Sequence, residues 1–490
     1  MRPMVKGALR RSWRDQECVQ FGVDPEHAVV MDPVDGPAAA FLGLLDGTRG
    51  GETLMREAAA LGMDPDRVRR LLAMLAQGGV LDDAAAHAEL AALHRRGDVL
   101  DRLRPDLAAL SVVHRPPGAA PARMRERGAS RVRVAGAGRV GTALAAVLAA
   151  AGVGAVDVVD TGRVEPWDVA PAGFPAEQVG ERRDAAARGV VRRASGGRAG
   201  PQGEQRCRPW SPGGGGRPRA TPCGGGDGGA DEGSAPPGTA GVPGSTGSAG
   251  PLGSVGSAVP AGRAGDRSVT VIVPRDGLAA YVPDVAHARR LVASGVVHLY
   301  AGVLEGTGFV GPLVVPGRTA CGECLALALA DRDPALPRVL AQLRSGRQPA
   351  VPACDVALAT AVAGIAAGHV LARLDGRVPP SAGARVELSQ ARLSTYVRAL
   401  PPDPRCECGA AARQAAAAGA GAAGARWECA GAGAGAGRGD GAGADKGDGG
   451  DAAAGPEEGS AGTRGGLRGG ARAGGGTMAM EPTGNEGAHV

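Results

Sequence analysis

The stretch that most constrains this chain is VRVAGAGRVGTALAAVLAAAGVGAVDVVD, residues 132–160. Val132-Arg133-Val134 is a short β-type run, and Gly136, Gly138 and Gly141 follow in G-x-G-x-x-G spacing. Helix-forming residues run from Thr142 to Ala151, and Val156, Val158 and Val159 read as a second strand ending at Asp160. Glycines permit a tight turn and a close approach of backbone to phosphate. The helix N-terminus offers free N–H groups and a positive dipole end to an anion. Asp160 follows the first glycine at about the ~20 residues expected of a ribose-binding acid. The expectation is an α/β nucleotide fold, with ATP and NAD both open at this point.

The order along the chain places this unit. Residues 1–95 show a strand candidate (HAVVMDPV), three helical runs and a short strand (GVLDD), with Asp64 set to cap the third helix and Pro65 in its first turn. That pattern suggests a small winged-helix domain whose core includes Leu71, Leu72, Met74 and Leu75. Residues 96–127 read as a connector and 128–192 as the first half of the nucleotide domain. Segment 193–267 is rich in Gly, Pro and Ser and is expected to be a disordered insertion. Order returns in 268–410, beginning with the buried strand VTVIV, and 411–490 reads as a disordered Gly/Ala tail.

Only Lys6 and Lys446 are lysines, so nearly all positive charge is Arg, and the net charge of +5 gives no case for non-specific nucleic-acid binding. The start, MRPMVKGALRRSW, lacks an apolar segment of the signal-peptide kind. The apolar runs 142–159 and 356–368 fit the nucleotide fold and a buried helix. The expectation is a cytoplasmic protein with no membrane partner.

Nine cysteines in such a protein suggest metal or catalysis before disulfides. Cys321 and Cys324 form CGEC, and Cys406 and Cys408 form CEC. Brought together by the fold, the two pairs would make a tetrahedral four-cysteine Zn²⁺ site, against the alternative of free thiols in two turns. Cys354 precedes a long apolar helix, either as a thiol activated by the helix N-terminus or as a small buried residue. Cys207, Cys223 and Cys429 carry no assignment.

The order of glycine loop, acid, strand ending in an acid, C-x-x-C, Cys before an apolar helix and final Cys pair resembles the ThiF/MoeB adenylyltransferases, the superfamily of the ubiquitin-activating enzymes. The resemblance covers 128–190 and 268–410 and implies a Rossmann-like ThiF fold with a mostly parallel sheet. It also implies that ATP is used to adenylate a peptide or small-protein carboxylate. Residues 1–95 are similar to PqqD-like leader-peptide modules. The combination resembles actinobacterial ThiF-type proteins of thiazole/oxazole-modified peptide pathways, which implies a cyclodehydratase partner; a homodimer is the expected assembly.

Position by position, the resemblance makes Gly136, Gly138 and Gly141 the phosphate loop, with Arg139 and Val140 in place of the usual Gly-Leu and Arg139 a further candidate cation for the nucleotide, and Asp160 the ribose acid. Asp168 stands where Asn is usual, and Asp276 matches the Mg²⁺-holding acid, with Gly277 in place of the following Asn. Cys321, Cys324, Cys406 and Cys408 match the zinc ligands, and Cys354 is the candidate nucleophile. Two departures stand out: no Arg occurs near Pro171, where the family carries a phosphate-binding one, and Arg183 replaces the family Lys. These favour a rival reading, a degenerate scaffold that binds a leader peptide without chemistry. A second rival is an NAD-sensing winged-helix repressor, with Arg67, Arg69 and Arg70 on phosphates, though the cysteine pairs then have no role. A dehydrogenase would need a His or Lys placed for hydride transfer, and His298, on an expected strand, reads as structural.

Overall fold

The computed structural model describes residues 1–93, 97–197, 268–346 and 351–417. The bulk of the expected insertion and tail (198–267 and 418–490), with Cys207, Cys223 and Cys429, lies outside them. The described residues fall within one compact unit, Met1–Arg426.

The chain begins with short strands β1 (Pro3–Val5), β2 (Arg11–Trp13), β3 (Val19–Phe21) and β4 (Val29–Met31). Helices α1 (Gly36–Leu44), α2 (Gly51–Ala60) and α3 (Pro65–Gln77) follow, then β5 (Leu81–Asp83). Strands β2, β3 and β4 form an antiparallel meander, while β5 returns to pair with β1. Asp64 caps α3 as expected, accepting from the N–H groups of Asp66 and Arg67 at 3.0 and 3.1 Å. Val68, Leu71 and Leu75 form its buried stripe, and Leu72 packs at the margin. Met74 is a correction: it is 57% exposed, because a residue three beyond Leu71 and one before Leu75 falls off the narrow face that α3 buries.

The connector, read from the sequence as partly helical, belongs to an ordered helical layer. Helices α4 (Ala84–Leu93), α5 (Gly97–Val113) and α6 (Ala119–Gly128) share a small core of Leu90, Leu103, Leu107, Leu110, Ala120 and Met124. Lys6 fastens the N-terminal module to this layer. It is 1% exposed, and its Nζ donates to the carbonyls of Ser111 (2.6 Å) and Arg115 (3.0 Å) around the end of α5. The negative end of the helix dipole favours a cation there. Burial lowers the pKa of Lys6, and the Asp82 carboxylate opposes that shift.

The nucleotide-type fold then unfolds in order: β6 (Arg131–Ala135), α7 (Arg139–Ala150), β7 (Ala155–Val159), α8 (Arg183–Ala194), β8 (Ser268–Ile272), α9 (Leu278–Tyr281), α10 (Val285–Ala293), β9 (His298–Leu304) and β10 (Thr307–Val314). Next come α11 (Gly322–Arg332), α12 (Leu336–Ser345), α13 (Val356–Leu374), β11 (Ala384–Ser389) and β12 (Ser394–Ala399). The seven-stranded sheet has the order β12-β11-β10-β9-β8-β6-β7. Pairs β7–β6, β6–β8 and β8–β9 are parallel, and β10, β11 and β12 add antiparallel pairs. Strands β6–β9 and β11 therefore point one way and β10 and β12 the other, so the sheet is mixed but mostly parallel.

Strand β9 shows how the sheet is buried on both faces. Leu299, Ala301 and Val303 join the core with α7, α8 and α13, while Tyr300 faces a second cluster with Phe309, Val314 and the cysteines. This is the two-residue alternation of a strand covered on both sides. Helix α13 is long and apolar enough to cross a membrane by composition, but here Leu358, Val362, Ala366 and Val370 pack into the sheet core. Burying each such Leu or Val contributes about 1.5–3 kcal/mol.

Two boundaries shift from the sequence reading. Helix α8 runs to Ala194, and residues 410–417 are helical. Arg413 and Gln414 anchor that last helix by donating to the carbonyls of Gly317 and Arg318, each at 2.8 Å. Long-range bonds of this kind, each spanning 96 residues, order a segment that composition alone assigns to the tail.

Candidate functional site

The glycine loop sits at the carboxyl ends of β6 and β8. The chain leaves β6 for β7 on one side and later returns to β8 on the other, which makes this a topological switch point. Gly136 has φ +119°, and a Cβ there would lie 2.0 Å from the carbonyl oxygen of Val273. A Cβ on Gly141 would lie 2.1 Å from the carbonyl oxygen of Gly136. Both positions are therefore closed to any side chain. Gly138 is the N-cap of α7, and no side chain caps that helix, which leaves its first turn to a ligand or water. Asp160 reaches under the loop, accepting from the N–H groups of Ala137 (2.8 Å) and Gly162 (2.9 Å).

Asp168 is 2% exposed. It accepts from Nε and Nη2 of Arg183 (3.1 and 2.9 Å), Nε of Arg275 (2.8 Å) and the Glu165 N–H (2.9 Å). Both of its oxygens serve the arginines, and it lines the cleft beside the loop. Arg183 also comes to the site but lies between two carboxylates, Asp168 and, at 3.5 Å, Asp160. The less compensated cations are Arg139 and Arg275. Both line a small cleft, open to solvent, with Trp167, Asp168, Val351, Pro352 and Cys354. Arg139 donates through Nη1 to the Cys354 carbonyl at 2.8 Å. Nε of Arg139, Nη2 of Arg275 and Nε1 of Trp167 are buried without an acceptor. The sequence carried no signal for Trp167, and the Arg275–Asp168 bond joins residues too far apart for any local pattern.

Asp276 follows β8 at the same edge and is half-buried. Burial raises its pKa, against a hydrogen bond from the Leu278 backbone and the charge of Arg275. Among the described residues no ion pair involves Asp276. Asp355, the residue after Cys354, caps α13, accepting from Ala357 and Leu358 N–H groups at 2.9 and 3.1 Å. Burial pushes the Cys354 thiol up, Arg139 opposes this, and Asp355 and Asp168 add to it. The helix end that would have activated the thiol is neutralised by a carboxylate.

The two cysteine pairs meet as expected. Cys321 is the N-cap of α11 and Cys324 lies in its first turn. Sγ–Sγ separations are 3.5 Å for Cys321–Cys406, 3.9 Å for Cys321–Cys324 and 3.8 Å for Cys324–Cys408, and all four sulfurs lie within 4.8 Å of one another. Zn–S bonds of ~2.3 Å in tetrahedral geometry require S–S edges of about 3.8 Å. All four residues are at least nine-tenths buried. A hydrogen bond from Cys321 holds the Cys324 thiol down at about 5 and raises its own donor. Such a cluster suits a cation that takes thiolates.

In the N-terminal module, Arg67 pairs with Asp35 at 2.7 Å and Arg69 with Asp66. Two of the three arginines considered for DNA phosphates are thus already matched by carboxylates. His298 is fully buried, with Nδ1 2.8 Å from the Val296 carbonyl, which is the structural role expected of it.

Residues 117–197 match the ThiF family. The resemblance read from the loop and cysteines therefore holds for the segment that carries the glycine loop, Asp160, Asp168 and Arg183. No curated protein matches the sequence. Among solved structures, E. coli MccB with succinimide is similar at a TM-score of 0.54 and 12% identity, over 83% of this chain and 99% of that one. E. coli MccB with ATP gives 0.53 and 12%, over 83% and 99%. The Microcin C7 biosynthetic enzyme MccB in complex with N-formylated MccA gives 0.54 and 11%, over 84% and 100%. At such identities the likeness is one of fold, and it extends across nearly the whole of those chains.

Proposed function

We propose that this protein is a ThiF-type adenylyltransferase that activates a carboxylate of a peptide or small protein in modified-peptide natural-product biosynthesis. The observation that carries the reading is the open cleft beside the uncapped N-terminus of α7, lined by Arg139 and Arg275 with buried, unpaired donors. The likeness to MccB solved with ATP and with the peptide MccA supports it.

In this reading a carboxylate oxygen of the substrate attacks the α-phosphorus of ATP. The bond to the bridging oxygen of the β-phosphate breaks, and pyrophosphate leaves with the electron pair. The loop N–H groups and the two arginines face the charge that develops on the phosphates. Asp160, oriented by two backbone donors, keeps acceptor capacity for a ribose hydroxyl, since a carboxylate offers about four lone-pair sites. Asp276 is the group to hold Mg²⁺, which binds through one or two carboxylates together with substrate phosphates. The four cysteines would hold a structural Zn²⁺ that ties α11 to the segment after β12. Cys354, protonated by its surroundings, serves as a wall of the cleft in this scheme.

Residues 1–95 are assigned as the winged-helix, PqqD-like module that captures the leader peptide. Its meander leaves the outer edges of β2 and β4 unpaired among the described residues, and an extended peptide can add to such an edge through backbone hydrogen bonds. A cytoplasmic homodimer acting with a cyclodehydratase completes the assignment.

ATP–pyrophosphate exchange is the test. Exchange that requires Mg²⁺ and a peptide with a free carboxylate supports the reading, while binding of NAD but not Mg²⁺–ATP overturns it. The absence of Arg near Pro171 and the double pairing of Arg183 favour one alternative, a leader-binding scaffold. ATP binding without exchange would select it.

A further inference from the structure

We propose that Arg275, Arg139 and Trp167 form a clamp for the polyphosphate of the nucleotide, and that Asp168 is the positioning residue that sets it. The proposal rests on the adenylyltransferase reading and supplies the cation that the position near Pro171 lacks.

Arg275 is fixed at one end and free at the other. Its Nε donates to Asp168 at 2.8 Å, and its Cζ lies 5.7 Å from the Trp167 ring centre. Its Nη2 has no acceptor. Arg139, the first residue of α7, is held by one bond to the Cys354 carbonyl and keeps an unpaired Nε. Trp167 adds a third unpaired donor, Nε1. Buried donors without acceptors are costly and rare, and these three line one cleft. An acceptor-rich ligand drawn in among these side chains would relieve all of them.

The donor set points the same way. A carboxylate has only two oxygens. Donors on three separate side chains, joined by the open first turn of α7, suit the larger oxygen set of a polyphosphate. Asp168 holds Arg275 by an ion pair that the family's usual Asn cannot form, so the acid at this position and a guanidinium 107 residues along the chain work as one device.

The test is calorimetric titration of the full chain with inorganic tripolyphosphate, Mg²⁺–ATP and adenosine. Tryptophan fluorescence serves as a second readout, with Trp167→Phe identifying the responding ring. We expect tripolyphosphate to compete with ATP. Arg275→Met should weaken both by on the order of 10- to 100-fold, the loss of a charge-assisted hydrogen bond, with adenosine affinity and the thermal transition retained. Asp168→Asn should weaken tripolyphosphate in the same direction and leave adenosine unchanged. A parallel loss of adenosine binding would reduce Asp168 to a structural role and overturn the proposal. So would tighter tripolyphosphate binding by Asp168→Asn, which would mean that the acid only repels the ligand. ATP binding and exchange unaffected by Arg275→Met and Arg139→Met would sink the clamp while leaving the adenylyltransferase reading intact. Arg275-dependent tripolyphosphate binding without any exchange would keep the clamp and refute the enzyme. If the Arg275 variant instead loses affinity for a free-carboxylate peptide but not its amide, with ATP unchanged, the clamp belongs to the peptide and the proposal fails.

Discussion

Replacing Asp375 with alanine isolates the bolt between the helical layer and the sheet domain. Asp375 is the C-cap of α13, and both its oxygens accept from Arg127 at the end of α6, Nε at 2.8 Å and Nη2 at 2.7 Å. The side chains are 7% and 0% exposed. Without Asp375 the Arg127 guanidinium keeps only a long bond to the Ala151 carbonyl at 3.4 Å and a distant Asp106 carboxylate at 3.8 Å. Removing one partner of a buried pair leaves an uncompensated charge and costs about 3–5 kcal/mol. The solvent-exposed pair Arg104–Asp101 should by contrast be worth no more than about 1 kcal/mol. Urea unfolding followed by circular dichroism measures the difference, and the paired replacement Arg127→Met with Asp375→Leu should recover most of the loss. A cost below about 1 kcal/mol for Asp375→Ala would show that the pair behaves as a surface contact, and the argument from burial would be wrong.

Two further outcomes can be checked on the same protein. Metal analysis should find one zinc per chain, and Cys406→Ser should lose it together with thermal stability; native thiols that titrate freely at near-zero metal content would refute the site. Burial depresses His298 from 6.5 to about 4, so its contribution is fully present above pH 6.5 and is lost as pH falls through that window, on the order of 3 kcal/mol in all. His298→Gln should flatten the stability profile between pH 7 and 4, and an unchanged slope would remove His298 from the account.

What the sequence made legible was local. The run from Val132 to Asp160 became β6, the glycine turn, α7 and β7 with shifts of a few residues at the ends, because spacing and apolar pattern act within one turn or strand. The four cysteines could be paired in advance because each pair is close in sequence and thiols gain so much from a shared metal. Strands β1, β2 and β3 were missed, whereas β4 and β5, equally short, were found through the apolar run before Asp32 and the turn glycines before Val80. The ordered layer of α5 and α6 was undervalued because its core is small and Pro105 interrupts the helical pattern. The Asp168–Arg275 bond and the Arg139 contact with Cys354 span 107 and 215 residues, and only the folded sheet edge brings such groups together. The two readings of Cys354 stayed open in the sequence because the cap of α13 falls to its neighbour, Asp355.

Lys6 has a consequence for the chemistry itself. It is the sole lysine among the described residues, and its amine is locked against carbonyl oxygens inside the protein. An acyl adenylate is an acid anhydride, and the commonest accidental nucleophile on a protein surface is a lysine amine. Guanidinium groups remain protonated and unreactive at neutral pH. A cleft walled by arginine, on a body whose described surface presents no lysine amine, can gather negative charge without offering its own side chains as acceptors; under the proposed activity, self-acylation would be suppressed.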